Sequence, residues 1–248
     1  MTVPIADINN ESLFFRLIDY KSPKLKEEQF LKSLLSNENV YHFNNSFSNI
    51  PGSPISYWLN DAIIEDFKKA TLLGDLLPVK KGMDSGNNSR FMRFWYEVDY
   101  NKTVMSNNDK TKKWVCYNKG GQYQKWYGNN YYVINWENNG EELRNSTANL
   151  RSEHLYFKPS ITWTAMGNCT FRLSYPLSIF DSSGSSMFPS EYQIYGILAF
   201  CNSNVMNVFL DILNPTLSSG AGTISNLPII EDSIYNCDIL NKSKENVE

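Results

Sequence analysis

Few residues in this 248-residue chain have the types and spacing needed for covalent chemistry. The two histidines, His42 and His154, stand in aromatic and charged surroundings, and no nucleophile, base and orienting acid can be assembled around either. No G-x-G-x-x-G run, P-loop, G-x-S-x-G turn or H-E-x-x-H pair occurs. Glu97, Asp99, Glu137, Glu141, Glu142 and Asp181 lie among Trp and Tyr, the mixture of a sugar-cleaving groove, but no spacing selects a pair of them. Cys116, Cys169, Cys201 and Cys237 are far apart, with no C-x-x-C pair and no His at metal spacing, which argues against a structural zinc or a redox motif.

What the chain offers instead is a recognition surface. KKGMDSGNNSRFMRFW (residues 80–95) sets Gly82 and Gly86 around amide and guanidinium groups. Amides pair bidentately with adenine and Arg with guanine, so Asn87, Asn88 and Arg90 are candidate base readers, with Lys80, Lys81 and Arg93 beside them. In KGGQYQKWYGNN (residues 119–130), Gly120 and Gly121 would let main chain approach a phosphate, and Lys119 and Lys125 would supply charge. A glycine turn capped by asparagine side chains accounts for residues 80–95 without any ligand. From Lys80 to Lys125 ten Lys/Arg stand against four Asp/Glu, a local excess of six positive charges in a chain whose net charge is −3. The overall balance argues against a protein whose whole surface receives a polyanion.

These residues need a scaffold, and the pattern predicts an α+β one. Hydrophobic residues at 42% and charged residues at 20% mark a globular chain. Residues 1–76 read as a helical and connecting segment. A helix over 27–36 places Phe30, Leu31, Leu34 and Leu35 on one face and ends at Asn37; a second over 55–70 carries Tyr57, Trp58, Ile63, Ile64 and Phe67; a further turn follows at 72–77. Pro51, Gly52 and Pro54 forbid regular helix between the first two. Residues 77–235 read as a twisted, mainly antiparallel β module with strands at 91–98, 112–117, 131–136, 155–157, 161–166 and 171–180. A short helix is expected over 140–150 with Arg144 and Arg151 at its end. One long helix is expected over 190–213, capped by Ser190, stopped by Pro215 and packed through a stripe that includes Val205 and Val208. Residues 236–248 read as a solvated tail. The start shows no leader, and no apolar run approaches the roughly 18 residues of a membrane span, so a cytoplasmic protein without membrane contact is expected.

Taken together, IPGSPISYWL (50–59), KGMDSGNNSRFMRFWYEVD (81–99), KKWVCYNKGGQYQKWYGNNYYVINWENNG (112–140), LRSEHLYFKPSITW (150–163), ILAFCNSNV (197–205), LNPTL (213–217) and ISNLPII (224–230) resemble one family. It is the PglX family, the adenine-specific DNA methyltransferases of BREX phage-defence systems, related to type IIG methylases; the resemblance is to their C-terminal part and covers about residues 40–232. It implies a target-recognition domain that lies downstream of the methyltransferase domain and contacts double-stranded DNA. The DNA-binding residues would be Lys80, Lys81, Gly86, Asn87, Asn88, Arg90, Arg93, Lys119, Gly120, Gly121 and Lys125. The family's S-adenosylmethionine loop and N-P-P-Y tetrapeptide do not occur; the sole Asn-Pro, Asn214-Pro215, runs on to Thr216 and Leu217. The resemblance thus implies no catalytic, cofactor-binding or metal-ligating residue here, S-adenosylmethionine for the complete enzyme only, and a separate methyltransferase half as partner. Asp84-Ser85-Gly86 also stands where the family pattern has a Thr-Gly turn. A non-enzymatic interaction protein, or the inert remnant of a truncated gene, is the alternative.

Overall fold

The computed structural model describes residues 12–43 and 47–247. Residues 1–11, where no leader is expected, lie outside the described residues, as do 44–46 in the proline-broken stretch. The chain divides into two units, Met1–Lys69 and Ala70–Glu248; the first boundary expected from sequence was seven residues later.

In the first unit β1 (Ser12–Phe15) and β2 (Val40–Phe43) pair antiparallel, with α1 (Pro23–Ser36) between them in sequence. Ser22 Oγ accepts the Leu25 N–H at 3.2 Å, Pro23 opens the first turn, and Asn37 closes the helix at φ 57°. The apolar face of α1 stays exposed, Leu35 at 91%. The second helix is shorter than expected, α2 (Asp61–Lys69), because Asn60 Oδ1 accepts the Ile63 N–H at 3.0 Å and starts the helix there. Tyr57, two residues into the expected helix, stacks on Phe14 at 4.6 Å instead.

The second unit opens with β3 (Thr71–Leu72), α3 (Leu73–Leu76), β4 (Val79–Lys80), α4 (Asn88–Phe91) and β5 (Met92–Phe94). It continues with β6 (Trp114–Asn118), β7 (Trp126–Tyr127), β8 (Tyr132–Asn135), α5 (Glu137–Arg144), β9 (Ile161–Trp163), β10 (Phe171–Leu173), β11 (Ser178–Phe180) and β12 (Ser186–Met187). It ends with α6 (Ile194–Cys201), α7 (Asn204–Leu213), α8 (Ala221–Ser225), β13 (Pro228–Ile229) and α9 (Cys237–Glu245). One sheet has the order β11-β6-β8-β5 and another β4-β12-β9-β10-β7, while β13 pairs with β3. Pairing is antiparallel except for β11 with β6 and β10 with β7. The class is α+β with mainly antiparallel sheets, as the strand spacing predicts. Met83, Phe91, Val115, Tyr117, Ile134, Trp136, Tyr156 and Phe180 share one core cluster, and this fixes the loops that leave β4, β6 and β11.

Several elements depart from the sequence pattern, each for a local reason. The expected strand over 91–98 is cut to β5, because Asn87 caps α4 before it and Glu97 accepts the Phe94 N–H at 2.8 Å after it. Residues 155–157 are not a strand: a 3-10 turn at Glu153–Leu155 runs into Phe157 at φ 62°. The helix expected over 140–150 starts at Glu137 and ends at Arg144, with Asn138, Asn139 and Gly140 inside it in left-handed geometry, so Arg151 lies outside it. The single long helix over 190–213 is two helices, α6 and α7, bent by 68°. Asn202 leaves the helical pattern to bond the Phe171 backbone through both ends of its amide, at 3.2 and 3.0 Å, and Ser203 Oγ then caps α7 on the Met206 N–H at 3.2 Å. The bend turns Val205 and Val208 out to solvent. The expected tail is helical in α9, where Asn236 Oδ1 accepts the Asp238 and Ile239 N–H groups. Among the described residues no single helix is long and apolar enough to cross a membrane.

Candidate nucleic-acid interface

The loop after β4, the loop after β6 and the segment DSSGSS (181–186) after β11 meet around one buried carboxylate. Asp181 is 3% exposed. Its Oδ2 accepts the Tyr117 hydroxyl at 2.5 Å and Lys119 Nζ at 3.1 Å, and its Oδ1 accepts the Ser183 N–H at 2.7 Å and the Ser183 hydroxyl. Burial first, and the Asp181 charge second, push the Tyr117 hydroxyl far above its usual range, so it stays a donor at every ordinary pH. Gly184 seals the junction: a Cβ there would lie 2.3 Å from the Asn118 carbonyl oxygen and 2.7 Å from the Gly120 nitrogen, closer than any side chain can sit. Ser183 Oγ donates to the Lys119 carbonyl at 3.1 Å, and Met83 and Asp181 form a parallel bridge.

The loop of residues 80–93 is organised by a second carboxylate. Asp84 accepts the Ser182 hydroxyl and, at 2.5 Å, Arg151 Nη1, while its main chain exchanges two hydrogen bonds with Asn149. Burial works to raise the Asp84 carboxyl, but the Ser182 hydrogen bond and the charges of Arg151 and Lys81 outweigh it and hold the group below its ordinary value.

The candidate base readers are engaged inside the protein. Asn87 Oδ1 accepts the Arg90 N–H at 3.0 Å and the Ser89 hydroxyl at 2.8 Å, as the cap of α4. Asn88 Oδ1 accepts the Ser85 hydroxyl at 2.6 Å. Both amides keep their NH2 donors, but a bidentate adenine contact also needs the oxygen. Arg90 pairs with Glu142 at 3.3 Å, and Arg93 Nη1 donates to the carbonyls of Ser89 and Met92, both at 2.7 Å. Gly86 sits at φ 68° against Thr147.

Of the candidate phosphate contacts, Lys119 is the partner of Asp181, and Lys125 Nζ donates to the Asn202 carbonyl at 3.1 Å on the far side of the loop. Lys80 and Lys81 are exposed and make no side-chain hydrogen bond or ion pair within 4 Å among the described residues. Gly120 has φ 79°, and the exposed Gly121 exchanges hydrogen bonds with Thr164 Oγ1, both at 3.1 Å. The structure therefore brings Lys80, Lys81, Lys119 and Gly120 onto strands and loops joined through residues 181–186. Arg90 lies at the Glu142 side and Lys125 at the Asn202 side.

Residues 181–186 and Thr164 organise this site and were not singled out for it. A Ser/Gly run directly after an apolar strand was the available signal, since such a run has little else to do there than bond neighbouring main chain. No group of three His, Cys, Asp or Glu able to hold a metal occurs among the described residues.

No family model matches the chain. It is 37% identical over 234 residues to the adenine-specific methyltransferase PglX of Lacticaseibacillus casei (strain Zhang), across 86% of this chain and 19% of that protein. It is 36% identical over 233 residues to the adenine-specific methyltransferase BrxX of Escherichia coli O9:H4 (strain HS), across 91% of this chain and 19% of that protein. The chain thus spans about a fifth of the length of the curated relatives it matches.

Proposed function

We propose that this chain, a homologue of one segment of the adenine-specific methyltransferases PglX and BrxX, is the DNA target-recognition part of such a phage-defence enzyme. The observation that carries the reading is the extent of the similarity: it runs through most of this chain but through 19% of either relative. The remaining four fifths of such an enzyme have room for the S-adenosylmethionine loop and the N-P-P-Y tetrapeptide, neither of which occurs in this sequence.

In this reading the catalytic part flips the target adenine out of the duplex, and this chain reads the bases that flank it. Lys80 and Lys81 supply phosphate contacts at once, since among the described residues no hydrogen bond or ion pair within 4 Å holds either ammonium group and only the Asp84 charge acts on Lys81 from further off. Gly121 brings main chain to the backbone on a loop braced by Thr164. Arg90 becomes a base reader by exchanging the exposed Glu142 for a guanine edge, a replacement of one charged partner by another at little cost. No methyl transfer is assigned to this chain alone.

Fluorescence anisotropy with a labelled duplex tests the reading. Weak binding is expected, with log K falling by about 0.9 per neutralised phosphate as log salt rises. The reading fails if a folded sample shows no salt-sensitive binding even with the methyltransferase half of the enzyme added. Incubation with duplex and labelled S-adenosylmethionine should transfer no label.

A second reading, contact with a protein partner, is favoured by the exposed rings in the turn after the outer strand β5 and just before its neighbour β8: Trp95 at 39%, Tyr96 at 63% and Tyr131 at 55% exposure. If it is the right one, Trp95→Ala with Tyr96→Ala abolishes heteromer formation in gel filtration and leaves duplex binding untouched.

A further inference from the structure

Arg172 is the largest charged side chain among the fully buried ones, with 0% exposure, and no carboxylate among the described residues pairs with it. It stands on β10 opposite Trp126 and reaches under the loop of residues 119–130. Its guanidinium makes three long hydrogen bonds, each 3.4 Å: to the carbonyls of Gln124 and Thr170 and to Thr164 Oγ1. Its Nε has no hydrogen-bond partner among the described residues. Burial lowers its pKa to about 10, which still leaves it cationic at neutral pH. A buried charge without a counter-ion is costly, and such a group needs an explanation beyond packing.

Thr170, whose carbonyl Arg172 bonds, forms part of the wall of an open cavity of about 420 Å³. Lys125, Asn207, Asn214 and Tyr123 line it as well. Thr170 is 97% buried by its 3% exposure, and its hydroxyl also has no partner. Lys125 gives one hydrogen bond to a neutral carbonyl, so its charge is solvated but not neutralised. The one carboxylate in the wall is Asp211. In the wall itself Lys125 stands against Asp211, and the buried Arg172 behind Thr170 adds a second positive charge, while the Thr170 hydroxyl and the three amides of Asn168, Asn207 and Asn214 complete the polar lining.

We propose that this cavity is an oxyanion site that takes a phosphate group, with Lys125 and the Thr170 hydroxyl as direct donors and Arg172 as the buried charge behind them. Its volume suits a phosphate together with the sugar it carries. The phosphate comes either from the DNA backbone or from a free nucleotide. The DNA source rests on the function proposed above; the site itself does not.

Thermal denaturation in inorganic phosphate, against sodium chloride at the same ionic strength, tests the site on the whole chain. Phosphate should raise the melting temperature of the wild type more than chloride does. Thr170→Val, which removes an unbonded hydroxyl and keeps the shape, should melt as the wild type does in chloride but bind phosphate about fivefold more weakly. Lys125→Ala should weaken it at least as much. A wild type that responds equally to both salts, or a phosphate response unchanged in both variants, overturns the proposal. In the DNA arm, a salt slope reduced by about 0.9 in Lys125→Ala identifies a backbone phosphate. An unchanged slope with an intact phosphate response assigns the site to a free phosphate compound. Complete absence of duplex binding would sink the target-recognition reading while the phosphate arm still reports on this cavity.

Discussion

Replacing Asp181 by Ala should cost the second unit about 3–5 kcal/mol, the range for breaking a buried charged network. The sum can be followed donor by donor. Tyr117 is 1% exposed and loses its only short acceptor, because the alternative, the Met83 carbonyl, is 3.5 Å away. A buried hydroxyl left in that state costs about 1–3 kcal/mol. Ser183 loses the acceptor for its main-chain N–H, 2.7 Å from Asp181 in the wild type, at a similar cost. Lys119 has 24% of its side chain exposed and turns to water, so its share is small. The measurement is the urea midpoint, followed by tryptophan fluorescence, with an unchanged slope. Asp181→Asn, which keeps one carbonyl acceptor, should fall between wild type and Asp181→Ala. A loss below about 1 kcal/mol for Asp181→Ala would refute the claim that this carboxylate joins the three loops.

Other outcomes follow from single contacts. Ser203→Ala should cost about 1 kcal/mol in the same assay by uncapping α7, and Ser203→Gly only a few tenths. Because the folded protein depresses the Asp84 carboxyl, its contribution is fully present above the unfolded value, near 3.8, and is lost as pH falls through the lower folded value. Asp84→Asn should therefore flatten the fall of the urea midpoint in the window below about pH 4, and an unaltered profile would contradict the assignment. Burial raises the Cys116 and Cys169 thiols to about 12 and the Cys201 thiol well above its ordinary value, whereas Cys237 is exposed. An aromatic disulfide reagent at pH 8 should thus titrate Cys237 at once and the buried Cys116 and Cys201 only after denaturation.

How far the sequence was legible depended on whether local or distant groups decided each element. The end of helix α1 was readable because its closing Asn37 is local, whereas its start at Pro23, capped by Ser22, lies four residues before the expected one. The break between α6 and α7 was not, since the apolar stripe is continuous through it and the cause is Asn202 bonding Phe171, a residue 31 positions away. The α5 region misled for a related reason: three consecutive left-handed residues, two of them Asn, mimic the composition of an ordinary helix start. Among the site residues the types were legible but their partners were not. Lys119 looks in sequence like a free phosphate ligand, and only the fold brings Asp181, 62 residues on, against it. Asn87 fulfils the simpler reading, a cap on a glycine turn, and Arg172 passed unnoticed although a lone charge inside an apolar strand is itself a signal.

The central claim, target recognition, is tested most directly by exchange. The segment of Lacticaseibacillus casei PglX that aligns with this chain is replaced by this chain, and the methylated adenine positions are mapped across a genome of known sequence. The account predicts an active hybrid that methylates adenines in a different sequence context from the parent. A hybrid that methylates the parent's own sites would contradict it.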